Sequence, residues 1–277
     1  TVNSLSNIAE LRCISPSPGN GLRIGTMTPI AAVAAYESIR STYQALAQAA
    51  SVVASPQLRS QGTLGGNLCQ KTRCWYYRGD FPCLRKGGDQ CFAYDGENQY
   101  HAIFGGEGCY MVHPSDTAPA LAALGGVCRI SGGGSSRSVP VDQFLMPASV
   151  DPQRETVLEP AEILTEILLP PAPPGLRSSY RKIRSRQAWD FALAGVALAL
   201  EFDGDVVRSA RVFLSGAAPT PWRAHEVEAV ITGGRLDAET ISKASKATAE
   251  GAEPLEHNGA KIALFEGLVT EALETIS

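Results

Sequence analysis

Five of the seven cysteines lie in one polar stretch of the chain: Cys69, Cys74, Cys83, Cys91 and Cys109. No two of them form a C-x-x-C pair, whereas structural zinc sites usually place paired ligands two to four residues apart. An odd cysteine number and the lack of a visible secretory signal disfavour disulfides. Iron–sulfur clusters are held by four thiolates at varied spacings. The pattern therefore favours a metal centre, a cluster more than zinc, with buried unreactive thiols as the alternative.

Basic residues accompany these thiols and could offset the negative charge of a thiolate-ligated centre: Arg73, Arg78, Arg85 and Lys86. The stretch 70–110 has little hydrophobic periodicity and few apolar residues. Irregular loops of this length usually need a cross-link to stay ordered, or they have a function. Metal–ligand bonds could supply the order that apolar burial does not.

The segment TLGGN, residues 63–67, directly precedes the thiols. Adjacent glycines can present backbone N–H groups to a phosphate, although they are often only a turn. The segment lacks the G-x-G-x-x-G spacing of a dinucleotide fingerprint and follows a predicted helix rather than a strand. We expect an irregular loop, for which phosphate binding is one interpretation.

The remaining elements mix helices and strands without a regular β-α-β alternation, which favours an α+β fold. Hydrophobic periodicity and capping residues predict helices at 30–39, 41–53 and 116–125 and a largely helical C-terminus. Strands are predicted at 21–26, 127–131, 161–170, 178–186 and 209–219. The run around Asp203-Gly204 predicts either a hairpin or a helix followed by a strand. The proline-rich junction PPAPPG, residues 170–175, is the best domain boundary.

Charge and hydropathy exclude two classes of partner. The net charge of −4 argues against non-specific nucleic-acid binding. The longest apolar run, ALAGVALAL at 192–200, is too short to cross a bilayer and predicts a buried element. We expect no membrane span and a cytoplasmic location, or a periplasmic one if a partner carries an export signal.

Three segments resemble the FAD-binding medium subunit of the molybdenum hydroxylases, the xanthine dehydrogenase and aldehyde oxidoreductase group. They are SPQLRSQGTLGGNLCQKTRCWYYR (55–78), HPSDTAPALAALGG (113–126) and LEPAEILTEILLP (158–170). The thiol-bearing insertion is similar to that of 4-hydroxybenzoyl-CoA reductase beta subunits, which carry an extra 4Fe–4S cluster there. The resemblance implies an α+β fold with a PCMH-type FAD-binding domain over 1–172, containing the cysteine-rich insertion 69–110. A C-terminal α+β domain like that of the CO dehydrogenase flavoprotein would follow over 176–277.

The resemblance also implies site residues, position by position. The cluster ligands fall on Cys74, Cys83, Cys91 and Cys109, with Cys69 as a spare thiol. The FAD-binding positions are Thr63, Gly65, Gly66, Asn67, Asp116, Leu164 and Lys182. Within this set, residues 63–67 would approach the pyrophosphate, Asp116 the ribityl or ribose hydroxyls, Leu164 the adenine end and Lys182 the isoalloxazine. Asp116 could instead be a plain helix N-cap, and Lys182 a solvated surface charge.

One feature of the family is missing from the sequence. The family binds the FAD pyrophosphate with two glycine-rich loops, and the first, of the pattern A-G-G-T-[DN]-L, does not occur upstream of TLGGN. We expect that the chain is truncated at its N-terminus relative to the family. A chain that binds FAD weakly or not at all is the alternative.

The function implied by the resemblance is electron transfer through FAD in a molybdenum hydroxylase complex. The implied partners are a molybdopterin-binding large subunit and a small subunit with two 2Fe–2S clusters. Two alternatives are a cluster-bearing electron-transfer or scaffold subunit that has lost FAD, and a non-redox module with a structural zinc.

Overall fold

The computed structural model describes residues 4–277, whose strands form two antiparallel sheets. The first sheet contains β1 (Ile14–Ser17), β2 (Gly21–Gly25), β3 (Val127–Gly132), β4 (Ser135–Pro140) and β5 (Glu162–Leu169), in the spatial order β1-β2-β5-β3-β4. The second contains β6 (Leu176–Ile183), β7 (Ala194–Asp203), β8 (Val206–Ser215) and β9 (Trp222–Arg223), in sequence order. The proline-rich junction leads from the first sheet to the second.

The helices fall into an N-terminal and a C-terminal group. The first comprises α1 (Ile30–Ala35), α2 (Glu37–Thr42), α3 (Gln44–Ser51), α4 (Pro56–Gln61), α5 (Leu64–Leu68), α6 (Trp75–Arg78), α7 (Thr117–Ala123) and α8 (Val141–Phe144). The second comprises α9 (His225–Ile231), α10 (Ala238–Ala247) and α11 (Ala260–Ile276). Helices and antiparallel sheets are thus combined as expected of an α+β fold.

The two helices predicted at 30–39 and 41–53 are in fact three. The backbone leaves the helical region at Tyr36 and again at Tyr43. The Tyr43 side chain is buried and its hydroxyl donates to the Pro170 carbonyl, so a tertiary anchor lies at the second break. The sequence also offered Ser41 as the cap of the second predicted helix, but Ser41 lies inside α2, where its hydroxyl donates to the Glu37 carbonyl.

The second sheet lies between two hydrophobic cores, which explains the continuous apolar run in β7. Ala197 and Ala199 join the N-terminal core, where α3 and α7 pack, while Val196 and Leu198 join the core covered by α9–α11. A strand covered on both faces is apolar at successive positions. The Asp203-Gly204 signal marks a hairpin between β7 and β8. Within residues 4–277, no helix is long and apolar enough to cross a membrane.

The cysteine-rich insertion is held against the second half of the chain. Ile103 and Phe104 are buried in the C-terminal core. Asn258 donates its side-chain amide to the carbonyls of His101 and Ala102. The C-terminal end of the insertion is therefore ordered by packing and hydrogen bonds to the α10–α11 region.

Candidate functional site

A cleft formed by two adjoining cavities, of about 370 and 450 Å³, runs between the helices of the N-terminal half, the insertion and the loop before β7. The residues that line both cavities are Arg73, Pro114, Asp116, Asp190 and Phe191. The insertion-side cavity extends to Cys74 and His101. The helix-side cavity extends to Thr63, Gly66 and Asn67.

The TLGGN segment is a helix start rather than the irregular loop expected. Thr63 caps α5, and its hydroxyl accepts from the Gly66 N–H at 3.2 Å. A helix of five residues is too short to show hydrophobic periodicity, so the sequence alone could not reveal it. The segment follows a helix rather than a strand, as expected, but that helix is α4, which lies beyond the helix predicted at 41–53.

The two glycines of this segment have different surroundings. Gly65 is buried, and a Cβ there would lie 2.6 Å from the Thr26 Cβ. Gly66 is exposed and lines the helix-side cavity. The backbone N–H groups of Leu64 and Gly65 donate to the carbonyls of Thr28 and Thr26. Gly66 is therefore the glycine whose surface faces the cleft, and the first amides of α5 are already engaged.

Asn67 is fixed by the segment that precedes α7. Its Oδ1 accepts from the hydroxyls of Ser115 and Thr117, at 2.5 and 2.7 Å. The Ser115 hydroxyl in turn accepts from the Ala118 N–H, so Ser115 caps α7. These bonds hold the Asn67 side chain at the wall of the helix-side cavity.

Asp116 is buried at the junction of the two cavities and is not the N-cap that its position suggested. Its carboxylate makes no capping bond to α7 and instead accepts from Tyr180 Oη and Lys182 Nζ, both at 2.8 Å. Burial raises the pKa of Asp116, and the Lys182 charge opposes that rise. Each carboxylate oxygen holds one donor and retains further acceptor capacity.

Lys182 is likewise not a solvated surface charge. Its side chain is 2% exposed, and its Nζ also donates to the Asp190 carbonyl at 2.9 Å. Tyr180, its neighbour on the same face of β6, shares a hydrogen bond with Ser215. Burial raises the pKa of Tyr180 well above its usual value, so the phenol is a neutral donor. Removing one partner of a buried ion pair costs about 3–5 kcal/mol.

Leu164 lies in β5 and is not among the residues that line the cleft. Its carbonyl accepts from the Thr26 hydroxyl at 2.8 Å. Leu164 therefore lies behind the start of α5, next to Thr26 and Gly65 and away from the cleft. Its contact with the adenine end of FAD stays a prediction.

The four cysteines implied as cluster ligands meet at one small cavity. Cys74, Cys83, Cys91 and Cys109 all line it, together with Arg85, Met111 and aromatic side chains. Cys69 lies elsewhere, against the N-terminal core, where burial raises its pKa to about 11. The four cysteines are spread over 36 residues, from 74 to 109, and spacing alone could not reveal that they converge.

Backbone amides lie near three of the sulfur atoms in this thiol cavity, those of Cys74, Cys91 and Cys109. The N–H groups of Tyr76 and Tyr77 point to Cys74 and lower its pKa against the larger effect of burial, which raises it. Interaction with the Cys109 thiol lowers the pKa of Cys91 to about 6, and interaction with Cys91, together with burial, raises the pKa of Cys109. Thiolate character is the state that ligates metals.

Arg85 places a cation at the same cavity. Its side chain is 1% exposed, and Nη2 donates to Glu155 Oε1 at 2.8 Å. Its Nε and Nη1 are buried without a hydrogen-bond partner in the structure. An unsatisfied buried donor costs about 1–3 kcal/mol, so such groups call for an explanation.

Cys74 and His101 connect the thiol cavity with the cleft. Cys74 lines the insertion-side cavity as well as the thiol cavity, and its Sγ lies 3.3 Å from His101 Nε2. Burial, with a smaller effect of the Lys261 charge, lowers the pKa of His101 to about 4, so the imidazole is neutral at pH 7. The sequence alone indicates no role for His101, because its neighbour Cys74 lies 27 residues away in the chain.

The thiol cavity and the cleft differ in the kind of metal centre or cofactor that their side chains could bind. Within the described residues, no three His, Cys, Asp or Glu side chains are arranged to hold a single metal ion. An iron–sulfur cluster does not require its ligands to meet at one ion, because each thiolate binds a different iron of a shared core. The thiol cavity is small, about 10 Å³, and the four cysteines that line it would be the ligands of such a cluster. The donor chemistry therefore fits a cluster better than zinc, and the cleft fits a large polar cofactor.

The fold and the cleft define a two-domain α+β protein with a site for a large polar cofactor, and comparison with known proteins identifies the family. Residues 2–172 match the FAD binding domain in molybdopterin dehydrogenase, and residues 178–273 match the CO dehydrogenase flavoprotein C-terminal domain. The chain therefore belongs to the FAD-binding medium subunits of the molybdenum hydroxylase family.

Individual relatives are oxidoreductase subunits. The chain is 38% identical over 242 residues to the aldehyde oxidoreductase FAD-binding subunit PaoB of Escherichia coli K12, covering 86% of this chain and 74% of PaoB. It is 26% identical over 253 residues to the carbon monoxide dehydrogenase medium chain of Hydrogenophaga pseudoflava, covering 91% of this chain and 71% of that one. A structure of carbon monoxide dehydrogenase from H. pseudoflava, lacking the Mo-pyranopterin moiety, superimposes with a TM-score of 0.74 at 25% identity. That match covers 98% of this chain and 80% of the other.

Proposed function

We propose that this chain is the electron-transfer flavoprotein subunit of a molybdenum hydroxylase complex and that it carries both FAD and a 4Fe–4S cluster. FAD would occupy the cleft, and the cluster would be held by Cys74, Cys83, Cys91 and Cys109. The chain would then belong to the subgroup with the extra cluster. The observation that carries the proposal is that Cys74 lines both the cleft and the thiol cavity.

The cleft residues suit the binding and orientation of FAD. Asp116 offers carboxylate oxygens for ribityl or ribose hydroxyls, and the Lys182 and Tyr180 donors fix its position. Asn67 and Gly66 form the wall on the helix side. Arg73, whose guanidinium lies 5.4 Å from the centre of the Phe191 ring, adds a positive charge for the phosphates.

The chemistry belongs to the cofactors, and the chain supplies their placement. When bound, FAD exchanges two electrons with an external partner and passes single electrons to clusters. Residues of this chain hold the two sites side by side, with Cys74 and the neutral His101 between them. No acid–base residue is required of the chain for this role.

The partners proposed are a molybdopterin-binding large subunit and a 2Fe–2S small subunit. The names of the relatives, which describe subunits and medium chains, support assembly into such a complex. An upstream segment with the first glycine-rich loop and a cytoplasmic location stay predictions.

Cofactor content tests the proposal directly. The complex is purified without oxygen, and FAD, iron and acid-labile sulfide are measured for the wild type and two matched variants. Cys91→Ser should lose iron and sulfide from this subunit while retaining FAD. Cys69→Ser, a thiol outside the thiol cavity, should retain all three.

Two results would overturn parts of the proposal separately. Equal iron in the wild type and Cys91→Ser would exclude the cluster. A complex with iron but without FAD would favour the scaffold alternative, in which the flavin has been lost.

A further inference from the structure

Arg85 is the charged side chain most deeply enclosed at the thiol cavity. It lies two residues after Cys83, in a short 3₁₀ turn, Leu84–Lys86, and its side chain is 1% exposed. Lys86, the next residue, is exposed and donates to the Gly79 carbonyl. Two adjacent positive residues therefore differ sharply in their access to solvent.

Of the three guanidinium nitrogens of Arg85, only Nη2 has hydrogen-bond acceptors in the structure. Nη2 donates to Glu155 Oε1 and to the Arg154 carbonyl, at 2.8 and 3.2 Å. Nε and Nη1 are buried and have no acceptor in the structure. A guanidinium has five N–H donors in a fixed plane, so orienting Nη2 on Glu155 also fixes where the other donors point.

The residues around Nε and Nη1 of Arg85 indicate which hydrogen-bond acceptor these atoms could bind. Arg85 lines the cavity formed by the four cysteines. The Arg85 charge opposes the effects of Cys91 and of burial, which raise the pKa of Cys109. An acceptor for Nε and Nη1 would be anionic sulfur, from a thiolate or from an inorganic sulfide.

We propose that Arg85 donates its Nε and Nη1 hydrogens to sulfur of the iron–sulfur cluster and thereby sets the cluster's reduction potential, with Glu155 holding the guanidinium in place. The inference rests on the cluster of the proposed function. A reduced cluster carries one more negative charge than the oxidised one, so a nearby cation and N–H donors stabilise the reduced form. Hydrogen bonds to sulfur, net charge and solvent exposure are the known determinants of such potentials.

Glu155 is negative and Arg85 is positive, so removing one charge or the other should shift the cluster's reduction potential in opposite directions. Arg85→Met removes the cation and its donors, and the cluster's midpoint potential should become more negative. Glu155→Gln keeps a hydrogen-bond acceptor for Nη2 but removes the counter-charge, and the potential should become more positive. A merely structural role would move both variants in the same direction or neither.

The experiment is an EPR-monitored redox titration of the anaerobically purified complex, together with iron and sulfide content. Arg85→Met should weaken reduction of the cluster at least tenfold, which is about 59 mV for a one-electron couple. Lys86→Met removes an exposed positive charge from the same turn and should shift the potential far less, because solvent screens it.

The outcomes separate this inference from the proposed function. A wild-type complex without the cluster overturns the proposed cluster itself. A wild-type cluster whose potential is unchanged in Arg85→Met overturns the role of Arg85 alone. Should Arg85→Met fail to assemble its cluster, Glu155→Gln decides, since a negative or absent shift there contradicts the inference.

Discussion

Asp116 and Lys182 form an ion pair almost wholly withdrawn from solvent, at the place where the two halves of the chain meet over the cleft. The pair is 66 residues apart in sequence, and Tyr180 adds a neutral donor from the same strand. The resemblance found Asp116 and Lys182 as separate positions, but nothing local reveals that they bond. The same holds for the cap of α7, because Ser115 and Asp116 are both good capping residues and tertiary contacts decide between them.

Replacing Asp116 by Asn should lower both stability and flavin binding. The change leaves the Lys182 charge buried without its partner, so the free energy of unfolding should fall by about 3–5 kcal/mol. Urea denaturation and FAD content measure the two effects. The double variant Asp116→Asn/Lys182→Met should recover most of the stability without recovering FAD. Full FAD content in Asp116→Asn would exclude the proposed hydroxyl contact.

At the scale of elements, α5 and the insertion are the parts that sequence patterns described least well. The five residues of α5 are shorter than two helical turns, and the insertion takes its order from contacts outside itself. The strands β2, β3, β5 and β6 lie close to their predicted positions, whereas the run that forms β7 was compatible with a helix as well as with a strand. The convergence of four thiols depends on turns that have no periodic signature, so the resemblance alone supplied that ligand set.

The two glycines of α5 should respond differently to substitution by alanine. Gly65→Ala should lower the thermal unfolding temperature, because its Cβ would collide with Thr26. Gly66→Ala should lower that temperature much less, because its Cβ would meet only the Thr63 hydroxyl, at 3.0 Å, but it should weaken FAD binding, because Gly66 lines the cleft. Thermal unfolding of the FAD-free chain and FAD titration distinguish the two. Unchanged FAD affinity in Gly66→Ala would exclude close packing of the cofactor there.

On the scale of the whole molecule, Lys261 ties the C-terminal helix to the insertion and to the end of β8. Its Nζ donates to the carbonyls of His101 and Gly216, and its side chain is buried. Burial lowers the pKa of Lys261 to about 7. The sequence offered no sign of this role, because a lysine near the start of an amphipathic helix is usually a solvated charge.

This lysine should make the stability of the chain depend on pH in the alkaline range. Its pKa in the folded state, about 7, is below its ordinary value of 10.5, so the unfolded chain binds more protons between these values. Stability from this group therefore rises with pH over that window, by about 2 kcal/mol from pH 7 to pH 9. The difference in unfolding free energy between the wild type and Lys261→Met should grow by that amount. A difference that is constant with pH would contradict the shifted pKa.

As proposed, one chain holds a flavin and an iron–sulfur cluster as neighbouring redox centres. Anaerobic reductive titration counts the electrons that each chain accepts. The wild-type complex should accept one electron more per chain than Cys91→Ser with equal FAD content, while Cys69→Ser should match the wild type. Equal electron uptake by the wild type and Cys91→Ser would contradict the account.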